Sequence, residues 1–333
     1  MPPAAMPGGE VEVFGTNLGP LESRTPRATL GDIPAPIALS RPSRAVVQVP
    51  DGAIAGDIVV YREGLASNPL YLRVAVSMAE NLHPVANPVV DATGNVYATL
   101  SGGRGQTVPV SIFQITRDFQ MRPFVRDLLN PTGMAFSRDG YLYVSSRAEG
   151  TVYRISPAGA VSTYAEGMGI ATGIAFDGDE NLYVGDRSGT IFKIGRADAM
   201  GNSGEIFVHA TLEPSMAAYH LAFNDAGTLF VTGPTTSSNQ CVHAIDKDGN
   251  TSVFYQGLGR AQGMAFDVDG NLYVAASLHG RRGIVKITER REASLAVAGS
   301  NLVGLAFLED GCAALATRDA LFHVDLGIEG RSL

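Results

Sequence analysis

Residues Gly173–Ile194 read GIAFDGDENLYVGDRSGTIFKI. Three short apolar runs, IAF, NLYV and TIFKI, are separated by Asp/Gly-rich clusters. Short runs bounded by such clusters predict β-strands joined by tight turns, because Asp, Asn and Gly tolerate the left-handed backbone of a hairpin. Close copies recur as GMAFSRDGYLYVSSRAEGTVYRI from Gly133 and GMAFDVDGNLYVAASLHGRRGIVKI from Gly263. Aligned on the turn, copies begin at Asn87, Thr132, Thr172, Tyr219, Gln262 and Val303. Their turn residues are Gly94, Gly140, Glu180, Gly227, Gly270 and Gly311, spaced by 46, 40, 47, 43 and 41 residues.

A period in the forties, with several short strands per copy, predicts an all-β chain built as a six-bladed β-propeller. A fourth strand follows each of the first five copies: MRPFVRDL, AVSTYAEG, GEIFVHAT, TSVFYQGL and EASLAVAG. The sixth copy has none after it. The segment Val74–Asn81, VAVSMAEN, resembles AVSTYAEG and is expected to close the ring. Within each copy, Phe and Tyr are expected to fill the space between blades. Asp246–Gly249 and Asp267–Gly270 read as hairpin turns, because a calcium loop's full ligand ladder and closing Glu are missing.

The first seventy residues follow a different pattern. GGEVEVFGTNLG, ATLGDIPAPIAL, AVVQVPDGAIAGDIVVY and PLYLRV alternate like the strands of a sandwich. VEVFGTNLG followed by VPDGAIAGDIVV resembles the IPT/TIG immunoglobulin-like domains. The expected division is therefore residues 1–73 as an immunoglobulin-like β-sandwich and 74–333 as the propeller. Such domains act as spacers or as modules that dock a protein partner.

Composition narrows the function. The chain of 333 residues is 45% apolar and 17% charged, which is ample for a core. Lys and Arg total 25 against 33 Asp and Glu, a net charge of −8, and so argue against nucleic-acid binding. Cys241 and Cys312 lie in no metal or redox pattern. No apolar run is long enough to span a bilayer. MPPAAMPGGE has no basic region followed by an apolar run, so the chain reads as cytoplasmic, or as secreted or periplasmic if a leader precedes it.

The repeat core, xG-[LIM]-AF…DGNLYV, resembles the SMP-30/gluconolactonase and NHL-repeat propellers over about residues 80–333. That resemblance implies hydrolysis of lactones or related esters. It also implies one divalent metal such as Ca²⁺ in the central channel, held by Glu, Asn and Asp at the residue before the repeat's Gly. In this chain those positions are Ala86, Thr132, Thr172, Tyr219, Gln262 and Val303. None is a carboxylate, so no metal ligand is assigned and the cofactor is left open.

Two alternatives follow. In the first, the chain is a lactone or ester hydrolase. Blade four has Tyr219-His220 where the other copies mostly carry x-Gly, making His220 a candidate general base and Tyr219 a candidate oxyanion donor. His83, Asn87, Thr132, Thr172 and Gln262 would contact substrate. The bland alternative is that the pair plugs the channel and His83 serves a turn. In the second, the propeller binds without catalysis. The loops between second and third strands carry Arg104, Arg147, Arg187, Arg281 with Arg282, and Arg318, a rim suited to a small anionic ligand through bidentate contacts. The competing role for these arginines is pairing with neighbouring Asp.

Overall fold

The computed structural model describes residues 1–21, 25–103, 105–235 and 240–331. Arg104 lies outside the described residues, as do 236–239 in the fourth copy's loop. The described residues are almost entirely strand and turn, with one 3₁₀ turn at Glu309–Gly311. No helix among them is long and apolar enough to cross a membrane.

Each copy of the repeat forms antiparallel strands in chain order. Pro131–Phe136, Leu142–Ser146, Thr151–Ile155 and Val161–Ala165 make one four-stranded sheet, and Ala171–Phe176 through Ile206–Thr211 make the next. The hairpin joining the first two strands needs a left-handed residue. Gly94, Gly140, Gly227, Gly270 and Gly311 supply it at φ 75–81°, and Glu180 adopts φ 64° at the equivalent place. In the first, third and fifth copies an Asp opening this turn ties it. Oδ1 of Asp91, Asp177 and Asp267 each accepts the backbone N–H groups of the residues two and four positions on, at 2.8–3.1 Å. Each of these carboxylates thus serves its own hairpin.

The first strands of successive copies stand side by side. Val89–Val90, Pro131–Phe136, Ala171–Phe176, His220–Phe223, Met264–Phe266 and Leu302–Phe307 each contact the next, and the last contacts the first. They are the inner strands of a closed ring. Aromatic pairs set the spacing. An aromatic residue on each second strand meets, edge to face, the Phe ending the next inner strand: Tyr97–Phe136, Tyr143–Phe176, Tyr183–Phe223, Phe230–Phe266 and Tyr273–Phe307, with centroids 4.9–5.2 Å apart. Such pairs contribute about 0.5–1.5 kcal/mol each beyond area burial.

The seam between the last copy and the first is different. Ala314 and Val90 replace the aromatic pair, and the buried members of the cluster there are aliphatic, among them Met78, Leu321 and Val303, with Phe113 and Phe119 packed at its edge. Val76–Glu80, which precedes the first copy, lies antiparallel against Ala320–Asp325 and fills the last sheet's fourth position. Arg117 adds an ion pair to Glu309 at 2.7 Å across the same seam.

The N-terminal residues form two sheets around one core. Glu10–Phe14, Arg44–Gln48 and Ile37–Arg41 make one, and Ile33–Ala35, Arg27–Leu30, Gly56–Arg62 and Leu70–Val74 the other. Val11, Val13 and Val47 of the first pack on Leu30, Ile58 and Leu72 of the second. The second sheet does not stop there. Ala4–Ala5 pairs in parallel with Leu70–Val74 on one side and with Ala293–Ala298 of the ring on the other. Glu12, only 7% exposed, adds ion pairs to Arg281 at 2.5 Å and Arg44 at 3.1 Å.

Candidate functional site

The inner strands converge at one end because of what sits between them. In the second, third and fifth copies, alternate positions run from Gly through Ala to a polar residue: Gly133, Ala135, Ser137; Gly173, Ala175, Asp177; Gly263, Ala265, Asp267; the last copy runs Gly304, Ala306, Leu308. A Cβ at Gly133 would collide with the Thr172 carbonyl oxygen and come within 2.9 Å of Ile174 N; one at Gly173 would collide with the carbonyl of Tyr219. Glycine therefore permits backbone-to-backbone approach, and the larger residues toward the hairpins spread the strands. The result is a taper, enclosing a central cavity of about 1420 Å³ that widens toward the hairpin turns.

Two copies put a side chain in the glycine layer, and both line the cavity: Asn87 in the first and His220 in the fourth. Asn87 reaches across the ring. Its amide donates to Met264 O at 2.7 Å, and its Oδ1 accepts from Leu305 N at 3.2 Å. It staples three inner strands and helps form the cavity floor. His220 is 4% exposed. Burial alone pushes its pKa down to about 4, and no hydrogen bond holds its imidazole among the described residues. It is a neutral ring at neutral pH, with one donor and one acceptor nitrogen at the bottom of a cavity.

The wide end is built from the hairpin turns and from one element with no repeat signature. Residues after the last strand turn across the mouth. Val268 N donates to Glu329 O at 3.1 Å, Gly330 bridges Asp267, and Arg331 N donates to Phe266 O at 3.1 Å. Arg331 then reaches the fourth copy, pairing with Asp225 at 2.7 Å and donating to Phe223 O. Glu329, Gly330 and Arg331 form part of the cavity lining.

The remaining candidates lie elsewhere. Tyr219 is buried in the seam beside His220 and does not line the cavity. Its hydroxyl donates to the Glu213 carbonyl, and burial, with Asp186 and Glu213 nearby, raises its pKa to about 12. Thr132 is buried and donates to Asn130 O at 3.2 Å. Thr172 donates to Gly185 O at 2.8 Å and accepts from Tyr219 N at 3.1 Å. The Gln262 carbonyl accepts from Thr232 at 2.6 Å. His83 is exposed and bridges Leu100. The structure thus brings His220 and Asn87 into one cavity and leaves Tyr219, His83, Thr132, Thr172 and Gln262 out of its lining.

Three arginines of the second-to-third-strand loops already have partners. Arg147 donates to Gly102 O at 3.1 Å, Arg187 to Met216 O at 2.8 Å, and Arg281 pairs with Glu12. Nor do the residues before the glycine layer fit a divalent ion. The hydroxyls of Thr132 and Thr172 are used by the backbone, and no group of three or more His, Cys, Asp or Glu able to hold a metal occurs among the described residues. Hard cations favour charged oxygen ligands, which these positions lack.

No family model and no curated protein matches the chain. Solved structures do. A gluconolactonase from Xanthomonas campestris is 11% identical with a TM-score of 0.57, covering 75% of this chain and 89% of its own. A catalytically inactive virginiamycin B lyase from Staphylococcus aureus, solved with quinupristin, is 14% identical with a TM-score of 0.52, over 95% and 98%. An auxiliary nutrient binding protein from Bacteroides ovatus is 11% identical with a TM-score of 0.54, over 97% and 96%. At these identities the likeness establishes the fold, an all-β propeller, and no activity.

Proposed function

We propose that this chain is a small-molecule-binding protein whose ligand enters the central cavity from the hairpin end. Its architecture would be a six-bladed propeller, residues 74–333, preceded by an immunoglobulin-like IPT/TIG sandwich, residues 1–73. The observation that carries the function is the unpartnered His220 at the floor of a cavity of about 1420 Å³. A cavity of that size with a convergent polar group is the usual form of a ligand site. Arg147, Arg187 and Arg281 are engaged at the other end, which favours the cavity over an Arg-rimmed anion site. The sheet continuity through Ala4–Ala5 and the Glu12 pairs suit the sandwich as a brace, with protein docking as its alternative role.

A cavity-filling substitution tests this reading. Ala222 lines the cavity and is half-buried. Small lactones, aryl esters and amines are screened for their effect on the melting temperature. Any compound that raises it for the wild type is expected to lose that effect with Ala222→Phe or Ala306→Leu. Retained effects in both folded variants would place binding outside the cavity.

A second reading is hydrolysis or lyase chemistry on a lactone or ester, with His220 as the base. It is favoured by the neutral, unpartnered imidazole and by the gluconolactonase and lyase folds among the neighbours. Tyr219 would take no part, since its hydroxyl is committed to Glu213. His220→Gln should then lower turnover of a lactone and aryl-ester panel by about 10²–10⁴-fold. Turnover that survives the change would remove His220 from any such mechanism.

A further inference from the structure

The charge at the cavity mouth points to a ligand class. Two guanidinium groups line it, and both are neutralised: Arg138 lies 3.6 Å from Glu180, and Arg331 lies 2.7 Å from Asp225. Asp91 and Asp177 also line it, but their carboxylates serve their own hairpins, each accepting from the Asn four residues on. Glu309 is neutralised by Arg117 at 2.7 Å, so Asp310 and Glu329 remain. Both line the mouth, both are exposed, and neither carboxylate makes a hydrogen bond or ion pair among the described residues. The uncompensated charge at the entrance is therefore negative.

Below the mouth the chemistry changes. The wall is formed by half-buried Ala175, Ala222, Ala265 and Ala306, small apolar groups that leave the channel wide. At the floor, His220 is more than nine-tenths buried, opens onto the cavity and its imidazole has no partner among the described residues. A bound molecule would meet an apolar wall, then a neutral hydrogen-bonding ring, with anionic groups behind it. A carboxylate or phosphate ligand would be repelled at the entrance and would meet no cation at the floor.

We propose that the cavity selects an amphipathic cation: an alkylammonium group on an apolar body, with the ammonium beside Asp310 and Glu329 and the body along the alanine wall. This rests on the reading that the cavity is the binding site. The source can be a free amine or the amine of a peptide. Two exposed carboxylates acting through solvent would favour an amine over its neutral analogue by about tenfold at low ionic strength, and less at high salt.

Calorimetric titration of the full chain with phenylbutylamine, phenylbutanol and phenylbutyrate tests this, with a lysine-ended hydrophobic tripeptide to separate the two sources. The expected order is amine, alcohol, then carboxylate, with the preference for the amine shrinking as salt is raised. Asp310→Asn with Glu329→Gln should bring the amine close to the alcohol without changing the alcohol's affinity. Ala222→Phe should abolish all binding. Equal binding of amine and alcohol, lost in Ala222→Phe, would overturn the cation proposal and leave the cavity site standing. Absence of binding by every probe, or amine binding that survives Ala222→Phe, would overturn both.

Discussion

Acidification should destabilise this protein through His220, and the structure sets the size of the effect. In the unfolded chain the imidazole titrates near its ordinary value of 6.5; in the fold, burial lowers it to about 4. The neutral form is the one the fold prefers. Stability from this group is therefore complete above about pH 6.5 and is lost as pH falls toward 4, because only the unfolded chain takes up the proton in that window. With 1.36 kcal/mol per unit, the loss is ~2 kcal/mol at pH 5 and ~3 kcal/mol at pH 4 relative to pH 7. Other groups titrate too. Burial also lowers the pKa of His209, His243 and His323, and the carboxyl of Asp139 is lowered, against the effect of burial, by hydrogen bonds from Ser137, Tyr141 and Arg154. A comparison with His220→Gln removes these shared contributions. Urea unfolding of both proteins at pH 7, 5 and 4 should show the wild type losing ~3 kcal/mol more than the variant by pH 4. Parallel losses would mean that the imidazole takes up protons as readily in the fold as outside it, and the sealed cavity floor would be refuted.

The glycine layer gives a second expectation. Gly133→Ala places a Cβ against backbone atoms of Thr172 and Ile174 and should cost ~2–3 kcal/mol in unfolding free energy. Gly178→Ala, where nothing lies within 4 Å, should differ from wild type by less than ~0.5 kcal/mol, and equal effects would refute the taper. Glu12→Gln removes the charge between Arg281 and Arg44, whose side chains keep 40% and 43% exposure. The cost should be ~1–2 kcal/mol, below that of a fully buried pair, and amide exchange at Ala4–Ala5 should quicken; unchanged exchange would separate the ion pairs from the N-terminal sheet contact.

The ring was legible because it is repetitive. One turn chemistry and one apolar spacing, read in several registers, reinforce each other, and even Glu180 could be placed at a left-handed position by alignment with glycines. The features that escaped have no side-chain signature. Ala4–Ala5 joins two sheets through backbone bonds and two buried methyl groups, and two alanines carry no strand pattern. The segment Glu329–Arg331 crosses the mouth by backbone pairing to Phe266 and Val268. The functional end was also hard to see. Tyr219 and His220 are adjacent in sequence, yet neighbouring side chains on a strand point to opposite faces, so one lies in the seam and the other at the cavity floor. The signal that could have identified the cavity was the Gly–Ala–polar progression along the inner strands, a gradient in side-chain size.

The seam closed by Val76–Glu80 has a consequence for how the protein is made. This strand is synthesised before all six copies, but its partner, Ala320–Asp325, comes only with the sixth. Ala4–Ala5 likewise waits for Ala293–Ala298. Until those partners emerge, both early strands present unpaired edges, the form most prone to pairing with another chain. Closure of the ring therefore waits on the sixth copy, and a nascent chain stalled within that copy would be open at the very place where the finished molecule is sealed.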